Sequence, residues 1–207
     1  MKRLKTWFQE KIADTYRTVA RQHDLVLHRR DLQSGRLVMG KHTYGVPEIH
    51  HYQGSEGRVF IGNYCSISPG VVFITGGIHP LNWVSTFPFR VMWNLPGQLE
   101  DGTPATWGDI HVGSDVWIGT DAMIMSGVTI GHGALIAARS VVTHDIPPYA
   151  LAGGIPPRPI RTRFPQDVID RLLEIKWWDW SEEEISKAIP YLSSNRIDEF
   201  LTLFGKR

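Results

Sequence analysis

The sequence predicts a mainly β chain wound as a coil with three flat faces and flanked by helices, and three observations carry that prediction. Aliphatic residues recur at every sixth position, from Val112 through Ile118, Ile124, Ile130 and Ile136 to Val142. Small or apolar residues stand four places after each of these, at Val116, Ala122, Val128, Ala134, Ser140 and Ile146. A second stretch keeps the spacing at Ile61, Ile67 and Phe73, with Cys65 and Val71 four places after the first two. A helix wants apolar residues about 3.6 apart and a half-buried strand wants two, so a period of six fits neither. It fits one hexad per face and eighteen residues per turn, with the aliphatic residue pointing into a narrow interior.

The elements follow in order. Residues 1–30 read as a helical segment able to cover one end of the coil, since a solenoid needs caps. Residues 31–160 hold the coil and its insert. Leu32, Val38 and Tyr44 are six apart and predict an irregular first turn. Phe73 and Val112 are 39 residues apart, which is no multiple of six. If the next hexad would begin at 79, then 33 residues are inserted, and the loop is expected over about 75–110. Gly113, Gly119 and Gly131 follow aliphatic positions, where a corner asks for unusual dihedrals. Residues 161–207 read as C-terminal helices. Pro165 suits a first turn, and Val168, Ile169, Leu172, Leu173 and Ile175 share one face. Ser181 with Glu184 fits a capping box, and Trp177, Trp178 and Trp180 are expected to pack against the coil.

Composition narrows the function. Of 207 residues 42% are hydrophobic and 21% charged, with net charge +1. That balance argues against a nucleic-acid binder, which carries a basic excess. No apolar stretch approaches the roughly 20 residues of a membrane helix, and the N-terminal stretch lacks a signal-peptide core. The single cysteine, Cys65, has no partner for a disulfide within the chain, so a reducing, cytoplasmic setting is expected.

IGNYCSIS at Ile61–Ser68, GGIHPLNWVSTFPF at Gly76–Phe89, the repeat run Val112–Ile160 and LLEIKWWDW at Leu172–Trp180 closely resemble the left-handed β-helix acyltransferases. With TYGVP at Thr43–Pro47 the likeness is strongest to the xenobiotic branch, which includes the hexapeptide-type chloramphenicol and streptogramin acetyltransferases. The resemblance implies a left-handed coil, a homotrimer, and acetyl transfer from acetyl-CoA at clefts between subunits. The hand comes from the family alone, because parallel crossovers are otherwise right-handed.

Acetylating a hydroxyl needs a base, since an alcohol is a poor nucleophile at neutral pH. Histidine suits the task, with an ordinary pKa of about 6.5. Among nine histidines, His79 stands in a Gly-Gly-Ile-His-Pro turn where the coil first breaks, and it coincides with the family's catalytic base. By resemblance, acetyl-CoA runs past Trp117, Gly119, Thr120, Ala138 and Thr143, and its phosphates meet Arg158 and Arg161. Thr143-His144-Asp145 departs from the Thr-Lys-Asp of sugar acetyltransferases in the wider family and offers less positive charge there. Tyr44, His50, Asn82, Trp83 and Phe87 are expected to line the acceptor site, with His51, Phe89, Trp93 and Trp107 nearby. Zinc in a hexapeptide coil uses histidines five apart within the repeats. The one such pair, His23 and His28, lies upstream, so no metal is expected. The leading expectation is an acetyl-CoA-dependent O-acetyltransferase acting on a small, antibiotic-like molecule. A sugar, nucleotide-sugar or surface-polysaccharide precursor is the alternative acceptor, and a non-catalytic hexapeptide scaffold is the alternative of another class.

Overall fold

The structure, a computed structural model, describes Lys11, Thr18 and residues 22–54, 57–155 and 157–205, without the side chains of 157–159. Most of the predicted helical segment over 1–30 lies outside these residues. Of the part described, 22–33 form helix α1.

Thirteen short strands follow among the described residues. The coil is built from β1 (Leu37–Met39), β2 (Glu48–His50), β3 (Val59–Ile61), β4 (Ser66–Ile67), β5 (Val72–Ile74), β6 (Ile110–Val112), β7 (Trp117–Ile118), β8 (Met123–Met125), β9 (Thr129–Ile130), β10 (Leu135–Ile136) and β11 (Val141–Val142). They form three parallel faces. The first is β1-β3-β6-β9, the second holds β4, β7 and β10, and the third is β2-β5-β8-β11. The chain visits the faces in rotation, and residues 18 apart are partners: His111 with Thr129, Trp117 with Leu135, Met123 with Val141. Ile61 pairs with Val112, 51 residues on, which leaves 33 for the insert. A final hairpin, β12 (Ala150–Gly154) and β13 (Pro157–Thr162), adds two strands to the second face.

All the repeat aliphatics face inward. Ile118, Ile124, Ile130, Ile136 and Val142 are fully buried, and so are Cys65, Val71 and Phe73. The four-place residues are buried too. The interior is one continuous apolar column, and burying each such side chain contributes about 1.5–3 kcal/mol.

Two expectations need correction. In the first turn Val38 and Tyr44 point outward, and Leu32 is exposed. Leu37 is buried and Met39 is packed on the core, because β1 pairs one residue out of the expected phase, with Met39 over Ile61. Gly113, Gly119 and Gly131 are not there for corner dihedrals. A Cβ on each would lie 2.7, 2.6 and 2.4 Å from backbone nitrogens of the next turn, at His132, Ala138 and Pro148. The left-handed corner positions come two residues later, at Asp115, Asp121 and Gly133. Aspartate tolerates that conformation better than most residues.

Helices α3 (Gln166–Ile175), α4 (Glu182–Leu192) and α5 (Ile197–Phe204), with a 3-10 turn at Trp177–Asp179, form a second apolar cluster. It lies along the corner between the first and second faces. Trp178 stacks on His132 with ring centres 4.6 Å apart, and Trp177 meets Tyr64. Trp180 instead packs on Phe200 and Phe204, within the helices. Pro165 is the cap of α3 rather than its first residue, whereas the Ser181–Glu184 capping box forms as expected. Arg163 ties the segment to the coil, 3.3 Å from Asp115 and donating to the Gly133 carbonyl at 2.7 Å. At the other flank Asp31 of α1, nearly buried, holds His51 at 2.9 Å. Among the described residues no helix is long and apolar enough to cross a membrane.

Two outcomes test this core. Ile124→Ala leaves a void in a close-packed column and is expected to lower unfolding stability by about 2–5 kcal/mol, while Val38→Ser changes it by less than about 0.5 kcal/mol; urea denaturation measures both. His132 accepts the Ser114 N–H at Nδ1 and lies under Trp178, so burial lowers its pKa, against the raising influence of Asp179. The unfolded chain then binds more protons once the pH falls below about 6.5, and stability declines as pH drops through that window. His132→Asn is expected to flatten the fall in urea midpoint between pH 7.5 and 5.5, a fall to which His28, whose pKa is also lowered by burial, contributes as well.

Candidate functional site

The chain leaves the coil where β5 ends, at the corner between the third face and the first face of the next turn. That exit is pinned. The buried Thr75 hydroxyl donates to the His50 carbonyl at 2.8 Å, and Thr106 donates to the Thr75 carbonyl at 2.7 Å. Ile78 and Ala105 pair as an antiparallel bridge, with N–H to O distances of 3.1 and 2.9 Å. Gly77, at φ 78°, lies where a Cβ would be 2.4 Å from the Tyr52 ring. Only glycine fits both the dihedral and the gap. His79 is the next residue but one, so its backbone is fixed by the coil although its side chain is exposed.

His79 Nδ1 lies 2.5 Å from the Thr86 carbonyl oxygen. A carbonyl only accepts, so Nδ1 carries the hydrogen and the neutral ring keeps its lone pair on Nε2. The arrangement therefore holds an imidazole with one basic nitrogen turned away from its anchor.

The rest of the insert is a compact aromatic loop. Its short helix α2 (Phe89–Met92) continues a chain of edge-on rings, Phe87 to Phe89 at 4.8 Å and Phe89 to Trp93 at 5.0 Å. Arg90 pairs with Asp101 at 3.2 Å across the loop. Trp83, Phe87 and Trp93 remain 40, 44 and 64% exposed. The loop thus leaves much of its ring surface exposed. Asn82 is exposed beside them. His50 ends β2 at the same corner, its Nε2 2.7 Å from Glu48 Oε1. Trp107 lies where the loop rejoins, against Gly127 of the next turn.

Most of the remaining expected residues form a second group. Tyr44, Ser66, Trp117, Leu135, Leu151 and Arg161 succeed one another across the second face. Trp117 is 52% exposed there, and Arg161 is exposed and donates to the Thr162 carbonyl. Gly119, Thr120 and Ala138 stack at the corner after that face, where the Arg139 N–H donates to the Thr120 carbonyl. Thr143 lies apart from them, at the end of the third face, with Oγ1 2.8 Å from His144 Nδ1. The Arg158 side chain lies outside the described residues.

So within one chain His79, His50, Asn82, Trp83, Phe87 and Thr143 gather at one corner. Tyr44, Trp117, Gly119, Thr120, Ala138 and Arg161 gather on the opposite side of the prism. Tyr44 is thus parted from the other residues expected at the acceptor site. Sequence reasoning missed Thr86 and Glu48. Thr86 acts through its backbone carbonyl, which leaves no residue-type signal. Glu48 stands two residues from His50 on one strand face, a spacing that could have revealed it.

Residues 109–144 match the family described as bacterial transferase hexapeptide (six repeats). The chain is 41% identical over 185 residues to a chloramphenicol acetyltransferase of Agrobacterium fabrum, covering 81% of this chain and 87% of the relative. It is 39% identical over 153 residues to a virginiamycin A acetyltransferase of Staphylococcus aureus, covering 72% and 69%. Among solved structures, an N-acyltransferase from Bacillus cereus, in complex with dTDP and 3-hydroxybutyryl-CoA, aligns with a TM-score of 0.50 at 18% identity, covering 75% of this chain and 82% of that one. At that identity the likeness concerns the fold alone.

The tautomer can be read directly. In long-range nitrogen–proton spectra at pH 8, the His79 ring, assigned by its loss in His79→Ala, is expected to show a protonated Nδ1 and an unprotonated Nε2. The opposite pattern would remove Thr86 as the orienting group.

Proposed function

The chain belongs to the hexapeptide-repeat acetyltransferases, and from that premise we propose that it transfers acetyl from acetyl-CoA to a hydroxyl of a small, antibiotic-like acceptor. The observation that carries this reading is the His79 ring, anchored through Nδ1 to Thr86 at the foot of an exposed aromatic loop. Nε2 takes the acceptor's proton as its oxygen attacks the thioester carbonyl carbon. The carbon–sulfur bond then breaks, and the coenzyme thiolate leaves with the proton held by His79. General-base help of this kind is worth about 10²–10⁴-fold. Transfer is direct. Cys65 does not serve as an acyl carrier, because it is fully buried, burial raises its pKa, and its Sγ donates to the Gly113 carbonyl at 3.0 Å. A buried, protonated thiol is a poor nucleophile. Trp83 and Phe87, with Asn82 and His50, supply stacking surface and hydrogen bonds suited to an amphipathic acceptor.

The second face suits acetyl-CoA. Trp117 and the Gly119–Ala138 corner, with Thr120, offer a flat wall for the extended pantetheine arm, and Thr143, at the His79 corner, meets the arm bound by another copy. Arg161, with Arg158, meets the phosphates. Apart from Thr143, these groups lie across the coil from His79 of the same chain. That separation supports a homotrimer of left-handed coils, in which one subunit's histidine corner faces another's wall and the reaction occurs between them. On this reading Tyr44 lines an acceptor cleft of the neighbouring copy. The unpaired Cys65 favours a cytoplasmic setting.

His79→Ala is expected to lower kcat by about 10²–10⁴-fold with acetyl-CoA affinity retained by calorimetry. Turnover within a few-fold of the unaltered enzyme would remove His79 as the base. Consumption of acetyl-CoA with chloramphenicol or a streptogramin supports the acceptor class, and consumption only with nucleotide-sugars overturns it.

A further inference from the structure

A cavity of about 440 Å³ lies between the coil and the C-terminal helices, at the corner joining the first and second faces and so away from the His79 insert. Small-molecule sites begin at about 300 Å³, and an apolar hole of about 150 Å³ already takes a benzene ring. Leu172, Ile185, Ile189, Ile197 and Phe200 form its apolar wall, with Trp177 and Tyr64 beside them.

Its polar lining includes Tyr149, Asp115 and Arg163, with Ser193, Ser194 and Asn195 just beyond the end of α4. Tyr149 is 1% exposed, yet its hydroxyl has no hydrogen-bond partner among the described residues. The Trp177 indole approaches it without good bonding geometry. The ring cannot swing away to find a partner. It lies on Gly133, where a Cβ would be 2.4 Å from it, and the Arg163 guanidinium covers it at 5.4 Å. Burial, with the Asp115 charge, holds the phenol above its usual range, so the hydroxyl keeps its hydrogen at every ordinary pH. Arg163 is already engaged by the Asp115 carboxylate and the Gly133 carbonyl. An anion entering beside Tyr149 would meet Asp115, with Arg163 already engaged, and a cation would compete with Arg163. A neutral head fits, one that accepts from Tyr149 and donates to the Asp115 carboxylate. A hydroxyl does both.

We propose that this cavity binds a neutral hydroxyl-bearing aromatic molecule of one or two rings, its ring among the helix side chains and its hydroxyl between Tyr149 and Asp115. The site is separate from acetyl transfer, and its test uses no acetyl-CoA, so its failure leaves the proposed reaction standing.

The probe is 4-ethylphenol, titrated calorimetrically into the full chain, with 4-ethylanisole as the ether that cannot donate. Saturable binding at one site per chain is expected, weakened about three- to tenfold for the ether and for Tyr149→Phe, the loss of one hydrogen bond. Tyr149→Phe leaves no polar atom stranded, so its unfolding midpoint is expected to hold or rise. Heats that do not saturate, or equal affinity for Tyr149→Phe and the unaltered chain, would overturn the site. Should Tyr149→Phe fail to fold, Ile189→Trp at the half-exposed rim replaces it: lost binding supports the site, and undiminished binding refutes it.

Discussion

Successive turns of the coil stack at the spacing of hydrogen-bonded parallel strands, about 4.8 Å, and the rest of the molecule depends on that spacing. It admits no side chain between Gly119 and Ala138, or between Gly113 and His132. It also sets Ile118 over Ile67 and under Ile136 in a column with no lateral freedom. A wall built this way is stiff, because every interior turn is bonded to two neighbours and packed from within. Stiffness lets a histidine on a loop hold its position with a single side-chain hydrogen bond.

The regular wall does little chemistry itself. What distinguishes this chain lies at two corners where other segments attach. At one, 33 inserted residues are gathered by the Ile78–Ala105 bridge and the Arg90–Asp101 pair, which leaves His79 and several aromatic rings facing outward. At another, the C-terminal helices are strapped down by Arg163 on Asp115, by Trp178 on His132 and by the Asn63 side chain donating to the Trp178 carbonyl. The first corner exposes an imidazole. The second encloses a polar group, the Tyr149 hydroxyl, without a hydrogen-bond partner among the described residues.

The positions of failure in the sequence reading are informative. The hexad phase holds from Ile61 to Phe73 and again from Val112 to Val142, on either side of the insert, because each inward residue has a partner above or below. It slips in the first turn, where Leu37 and Met39 have a neighbour on one side only and the chain is free to shift by one. The repeat glycines were legible as special, but their reason was not. A corner dihedral and a close approach between turns leave the same letter in the sequence, and only the neighbouring turn distinguishes them. Trp180 illustrates a similar limit: an aromatic cluster announces burial without saying against what.

The sequence by itself determined the period, the interior residues, the length of the insert and the singular place of His79, since each depends on spacing along the chain. Tertiary structure alone decided which nitrogen of His79 is basic, because that follows from the Thr86 carbonyl folding back over the ring. It also decided that the histidine corner and the Trp117–Arg161 wall lie on opposite sides of one chain, and that Tyr149 is sealed beside Asp115. These are relations across the coil, where residues far apart in sequence meet by winding, and winding places them by turn and face rather than by any local pattern of residue types.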